Sequence, residues 1–194
     1  MQRAIADPSA YAIEPKVDGV RGFLVFRDER VLETRNRRGE VRDWFRREPA
    51  ATAFGAIGSR LPILWRGTVL DGELTAGRFS TTMAALTGSK EHMANLHFVV
   101  FDAPVLAGVD LRSQPWEARR ERLELLARAF QIPYELSPIV EPSEALALDM
   151  VDGRLEGIVL KRRDAPYRGG SRSSWSKFKD RGWYEREAWR FERR

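Results

Sequence analysis

Lys16 lies in the string Glu14-Pro15-Lys16-Val17-Asp18-Gly19-Val20-Arg21, which gathers an amine, two carboxylates and a guanidinium. A lysine amine attacks phosphorus only when deprotonated, and its ordinary pKa near 10.4 means that neighbouring cations or burial must favour the neutral form. Arginines and a bound divalent metal would do this, and the metal would also neutralise the phosphate under attack. Asp18 faces the same side as Lys16 if the segment is extended, and could orient the amine or the metal. Gly19 permits a close backbone approach denied to other residues. Alone, the string reads more readily as a surface Lys-Asp pair beside a turn.

Four later strings change that balance: Leu70-Asp71-Gly72-Glu73-Leu74, then 98–102 (FVVFD), 156–162 (EGIVLKR) and 175–179 (WSKFK). Glu73 and Glu156 stand beside glycines at strand ends, uncomfortable places for core residues. Lys177 and Lys179 alternate with Ser176 and Phe178, so a strand would turn both ammonium groups to one face and Phe178 to the other. Phosphoryl transfer gathers negative charge, and several fixed cations with one or two carboxylates carrying Mg²⁺ are what electrostatic stabilisation requires. Phe101 reads either as an ordinary core residue or as a stacking face, and Trp175 as a pocket cap or a packing residue.

The elements that must position these groups follow from periodicity. Alternation predicts strands at 11–14, 22–27 and 31–35, with a turn at 28–30 between the last two. The stretch 43–60 predicts a helix ending near Gly58, and 69–74 a strand. Ser80, Thr81 and Thr82 open a short helix that stops at Gly88; they suit capping better than nucleophilic catalysis. A continuous apolar strand follows at 96–101. Pro115 and the spacing of Trp116, Leu123, Leu126 and Phe130 predict the longest helix, over 114–130. A shorter helix at 143–150 and a buried strand at 157–161 complete the pattern, and 169–174 reads as a surface loop. The fold class is α+β.

With 194 residues and 43% hydrophobic composition the chain can bury one good core or two small lobes. Cysteine is absent, which removes disulfides, thiolate metal sites and a cysteine nucleophile, and fits a reducing cytoplasm. His92 and His97 have no further ligand near them in sequence, so a zinc site is not expected. No apolar run approaches a membrane span. Lysine and arginine total 33 against 28 acidic residues, a net charge of +5 that favours a polyanionic partner. Arginines cluster at 35, 37, 38, 42, 46 and 47, and again at 162, 163, 168 and 172; guanidinium groups suit phosphate.

Taken in order, the five strings resemble motifs I, III, IIIa, IV and V of the covalent nucleotidyltransferases, a superfamily of ATP-dependent DNA ligases, RNA ligases and mRNA capping enzymes; the DNA ligases are the best match. The resemblance runs from about Tyr11 to Lys179. It implies a single adenylation domain with an ATP-grasp-like arrangement of antiparallel sheets flanked by helices. It also implies a reaction in which Lys16 takes AMP from ATP, releases pyrophosphate and passes AMP to a 5′-phosphate at a nick in duplex DNA. By the same resemblance Glu14 lies at the edge of the adenine pocket and Phe101 stacks on the base. Arg21 and Arg35 contact ribose or the nucleic-acid end. Glu73 binds ribose or helps to hold metal, and Glu156 is a metal carboxylate for Mg²⁺ or Mn²⁺. Lys161, Lys177 and Lys179 grip the phosphates, and Asp18 joins Lys16, Lys177 and Lys179 in the catalytic set.

DNA ligases carry an oligonucleotide-binding barrel after the fifth motif, and 15 residues follow Lys179 here, too few for one. The expectation is a monomeric core that acts alone or borrows a separate barrel or repair protein. The tail beyond 180 reads as a helix packed on the core or as an aromatic-basic strip for nucleic acid. Two other readings remain open: an RNA ligase or GTP-using capping enzyme, and a non-catalytic nucleic-acid-binding core.

Overall fold

A computed structural model describes residues 7–27, 32–42, 65–130, 133–153, 155–169, 174–179 and 182. Two sheets organise them. The smaller has the order β1-β9-β10, with β1 (Tyr11–Pro15) and β10 (Trp175–Lys179) both antiparallel to the central β9 (Gly157–Arg162). The larger runs β4-β3-β2-β5-β6-β7, built from β2 (Val20–Phe26), β3 (Leu32–Asn36), β4 (Val41–Arg42), β5 (Thr68–Thr75), β6 (His97–Leu106) and β7 (Val109–Asp110).

Register decides which residues face the core. Leu24 lies opposite Leu70 and Gly22 opposite Gly72, while Arg21 lies opposite Glu73 and Phe23 opposite Asp71. Because side chains alternate, one face of β2 and β5 carries Leu24, Phe26, Leu70 and Leu74, and the other carries the charged residues. The apolar face joins Phe98, Val100, Trp65 and Tyr134 in the main core. Phe26 and Trp65 pack edge to face, with ring centroids 5.2 Å apart. Fully burying side chains of this size contributes about 1.5–3 kcal/mol each. Helices α1 (Phe79–Thr87), α2 (Lys90–Met93) and α3 (Trp116–Ala127) bring Ala85, Met93 and Leu123 to this core. Ile13, Ile158 and Leu160 form a second, smaller core, against which Phe178 and the α4 (Glu144–Val151) residues Leu146 and Met150 pack.

Several local signals act as read. Gly88 ends α1 in the left-handed region at φ 113°, and at its start the Thr81 hydroxyl accepts from the Arg78 amide at 3.2 Å. The Ser143 side chain caps α4 by accepting from the Leu146 amide at 3.1 Å.

Other elements depart from expectation. β6 continues past Phe101 to Leu106, and β8 (Tyr134–Leu136) adds to it in parallel, so the large sheet is mixed. The long helix spans Trp116–Ala127, because Pro115 caps it with an extended ψ of 148°. Its buried face holds Trp116 and Leu123 but also Arg119 and Arg120. The helix expected at 43–60, the turn at 28–30 and the tail reading all lie outside the described residues, as does most of the loop at 169–174. No helix among the described residues is long and apolar enough to cross a membrane.

Candidate active site

The charged face of the large sheet meets the small sheet across a cleft, lined from one side by Arg21, Glu73 and Phe101 and from the other by Glu14, Pro15, Val159, Lys161, Trp175 and Lys177, with Lys16 and Val17 at the join. Lys16 directly follows β1. Its amide donates to the Gly157 carbonyl at 2.8 Å, which ties the chain to β9 just before it crosses to the large sheet. The crossing turn lies flat on β5: the Thr75 hydroxyl donates to the Asp18 carbonyl at 2.8 Å, and a Cβ on Gly19 would stand 2.1 Å from the Leu74 carbonyl oxygen. Gly157 serves the other sheet likewise, since a Cβ there would stand 2.0 Å from the Phe178 carbonyl oxygen. Only glycine lets β10 close on β9 beside Glu156.

That close approach assembles a charge cluster. The Lys16 ammonium donates to Glu156 Oε2, and Lys179 Nζ lies 2.5 Å from Oε1 of the same carboxylate. Glu156 therefore bridges the two amines. Burial pushes the Glu73 carboxyl up to about 7 in spite of Lys16, Lys177 and Arg21 nearby. The Lys177 ammonium is held below its ordinary range, first by burial and then by the like charges of Lys16 and Arg21.

Glu73 and Glu156 are near enough for the charge of Glu156 to raise the proton affinity of Glu73, and both are hard oxygen donors. Among the described residues no group of three or more His, Cys, Asp or Glu could hold a metal by protein ligands alone. Two carboxylates fit Mg²⁺, which keeps several waters and shares the phosphates of its substrate. Glu156 would exchange an ammonium partner for the ion.

The inner end of the cleft is aromatic. Phe101 and Trp175 meet edge to face, with centroids 5.4 Å apart and an interplanar angle of 87°. Lys161 stands behind them, 1% exposed, donating to Glu14 Oε1 and to the Phe101 carbonyl at 2.8 Å each, with its ammonium 4.5 Å from the Trp175 ring centroid. Burial pushes the Glu14 carboxyl up and the Lys161 ammonium down, while their mutual attraction opposes both shifts. Arg120 Nη1 reaches the same Glu14 oxygen at 3.4 Å.

Arg21 holds the other wall. Its Nε and Nη2 donate to the two oxygens of fully buried Asp71 at 3.0 and 2.7 Å, and its guanidinium carbon lies 5.2 Å from the Trp175 ring centroid. Burial lowers the guanidinium's proton affinity, but Asp71 and its neighbours raise it by more in sum. Arg21, Lys16, Glu73 and Lys177 also border an open groove, whose far side carries Arg37, Arg38, Arg42 and the α1 residues Phe79, Met83 and Leu86.

Most residues singled out in the sequence meet here: Glu14, Lys16, Arg21, Glu73, Phe101, Lys161 and Lys177 line the cleft, and Glu156 and Lys179 join it through the Lys16 ion pair. Three placements differ from expectation. Arg35 lies beyond Phe23 along β3, engaged by Glu33 and by the Gly39 carbonyl at 2.8 Å, and does not border the cleft. Lys161 is committed to Glu14 at the aromatic end of the cleft, apart from the cluster of Lys16, Lys179 and Glu156. Asp18 is fixed through its carbonyl and is not among the cleft-lining side chains. Sequence reasoning missed Asp71, Tyr167 and the buried pair of Arg119 and Asp102, whose two hydrogen bonds measure 2.9 and 2.7 Å. For Arg119 and Arg120 a signal existed: they fall three and four residues after Trp116, on its helix face.

Comparison with known proteins agrees with this geometry. A family model described as an ATP dependent DNA ligase domain matches residues 2–179. The multifunctional non-homologous end joining protein LigD of Pseudomonas aeruginosa is 34% identical over 178 residues, covering 87% of this chain and 20% of that protein. A probable DNA ligase of Rhodococcus opacus is 34% identical over 132 residues, covering 64% of this chain and 26% of that one. The ligase domain of M. tuberculosis LigD superimposes with a TM-score of 0.66 at 26% identity, covering 87% of this chain and 53% of that chain. A mycobacterial DNA ligase D complexed with ATP and MES gives 0.61 at 25% identity, covering 87% and 54%. The chain thus spans between a fifth and about a third of the length of these curated relatives and a probable DNA ligase of Sorangium cellulosum.

Proposed function

Because the chain belongs to the family of ATP-dependent DNA ligase domains, we propose that it is an adenylyltransferase in which Lys16 carries AMP between ATP and the 5′-phosphate of a nicked duplex. The observation that carries this reading is the shared Glu156 carboxylate between Lys16 and Lys179, set at the mouth of an aromatic cleft beside Glu73 and Lys177.

The adenine enters the end walled by Phe101, Trp175 and Val159, with Glu14 at its edge. The α-phosphate then lies among Lys16, Lys177 and Lys179. In the free protein the Lys16 ammonium is held in an ion pair with Glu156, so the amine is masked until that pair opens. Mg²⁺ or Mn²⁺ on Glu73 and Glu156 would screen the phosphate charge when bound. Once Lys16 has lost a proton to solvent, its nitrogen lone pair forms the bond to the α-phosphorus. The bond to the bridging oxygen breaks, and its electron pair leaves on pyrophosphate. Lys177 and Lys179 stabilise the charge that builds on the phosphoryl oxygens. An oxygen of a 5′-phosphate next attacks that phosphorus and the Lys16 nitrogen leaves, recovering its proton. Finally a 3′-hydroxyl loses its proton, attacks the 5′-phosphorus and expels AMP. The groove bearing Arg37, Arg38 and Arg42 borders the same amines and takes the nicked duplex.

Intact-mass measurement after incubation with ATP and Mg²⁺ tests the first step. One added AMP is expected in the wild-type chain and none in Lys16→Ala. Labelling by GTP in place of ATP, or an adduct that survives in Lys16→Ala, overturns the proposal.

A further inference from the structure

Tyr167 lies on the irregular stretch after β9 and belongs to none of the five motifs, yet its hydroxyl donates to Asp71 Oδ2 at 2.6 Å, the oxygen that also accepts from Arg21 Nη2. Asp71 has no exposed surface. A carboxylate in that position stays charged only through its donors, and burial pushes its carboxyl up against the pull of Arg21 and Tyr167. Tyr167 is itself well fixed. Its amide donates to the Arg112 carbonyl at 2.8 Å, its ring meets Trp175 edge to face at 6.0 Å, and the buried Arg119 guanidinium carbon lies 5.5 Å from the ring centroid. The hydrogen bond therefore comes from a rigid support, not from a mobile side chain.

Of the two donors on Asp71, Arg21 is the one that reaches both the nucleotide cleft and the arginine-lined groove. With Nε and Nη2 held by Asp71, the guanidinium plane is set and Nη1 remains as the corner that a phosphate or ribose oxygen could meet. We infer that Tyr167 is a positioning residue: through Asp71 it fixes the Arg21 guanidinium at the junction of cleft and groove, where Arg21 acts on the reacting phosphate. Its kinetic readout rests on the adenylyltransferase reading above.

Tyr167→Phe keeps the ring against Trp175 and Arg119 and removes only the hydroxyl. Single-turnover formation of Lys16-AMP at saturating ATP should slow roughly tenfold, the scale of one hydrogen bond to an ionised group. The half-saturating ATP concentration should stay within about twofold, because the nucleobase end is untouched. In an Arg21→Lys background the same change should slow the reaction less than about twofold further, since both substitutions act on one element. A tyrosine that merely braces the fold would instead multiply its effect with Arg21→Lys, and that result overturns the inference, as does a Tyr167→Phe rate equal to wild type. A readout independent of turnover is the Arg21 Nε–H resonance, whose solvent exchange should quicken at least about fivefold in Tyr167→Phe as the Asp71 clamp loosens; unchanged exchange overturns the inference. If wild type forms no Lys16-AMP while this resonance responds, the proposed function fails and the positioning of Arg21 stands.

Discussion

Lys161→Met removes the ammonium that links Glu14 to the Phe101 carbonyl, and it should destabilise the protein more at pH 8 than at pH 5.5. The substituted side chain has similar length and no charge. It eliminates two hydrogen bonds of 2.8 Å and leaves the Glu14 carboxylate, 2% exposed, with Arg120 at 3.4 Å as its nearest cation. Removing one partner of a buried ion pair costs about 3–5 kcal/mol. For a chain of this size that corresponds to a melting temperature lower by roughly 10 °C at pH 8. The Glu14 carboxyl is already raised by burial, with Lys161 opposing the rise, so the variant raises it further. A carboxyl raised on folding binds its proton more tightly in the folded chain. Its stabilising effect is complete below the unfolded carboxylate range and fades as pH climbs through the folded value. Measured at pH 8 and at pH 5.5, the penalty should therefore be smaller on the acid side, where Glu14 is more readily protonated. Urea denaturation of the nucleotide-free protein at both pH values measures it. Glu14→Gln combined with Lys161→Met should recover most of the loss, because no charge is then stranded. A penalty independent of pH, or a double variant no more stable than the single one, refutes the argument.

Glu73 makes a second pH prediction. Its folded value near 7 exceeds the ordinary 4.5, so metal-free wild-type protein should lose stability on the order of 3 kcal/mol as pH rises from the carboxylate range through 7. Glu73→Gln should flatten that slope in chemical melts across the same range. Gly19→Ala forces a Cβ to within 2.1 Å of the Leu74 carbonyl oxygen, so the turn after Lys16 must lift from β5. The yield of Lys16-AMP by intact mass should drop at least about tenfold, as misplacing a reacting group does; wild-type yield would contradict the close approach. Replacing Arg37 and Arg38 with Ser should weaken binding to nicked duplex and reduce the slope of log affinity against log salt by about 0.9 for each phosphate that is no longer neutralised. Filter binding across a salt series measures that slope, and an unchanged value would remove the groove from the DNA interface.

The five motif strings were legible because each is local. Lys16, Asp18 and Gly19 share one turn, and the alternation of Lys177 and Lys179 with Phe178 fixes faces on any strand, so chain order and a period of two suffice. Phe178 accordingly packs into the small core while Lys177 borders the cleft and Lys179 meets Glu156. The strand positions and the stop at Gly88 were readable for the same reason. Partner choice was not. Lys16 meets Glu156 across 140 residues, Lys161 meets Glu14 across 147, and Tyr167 meets Asp71 across 96. Such pairs exist only once segments distant in sequence come side by side, and nothing within a motif says which carboxylate will face which cation. The same assembly set Lys161 against Glu14 on the neighbouring strand of the small sheet. It left Arg35 on the far side of Phe23, and it buried Arg119 and Arg120 on a helix face where spacing alone suggested apolar packing. Sequence set the inventory of charges and the local geometry of each strand. The low dielectric and fixed distances of the folded cleft decided how those charges pair, because the desolvation of each group must be offset by whichever partner the tertiary packing brings within reach.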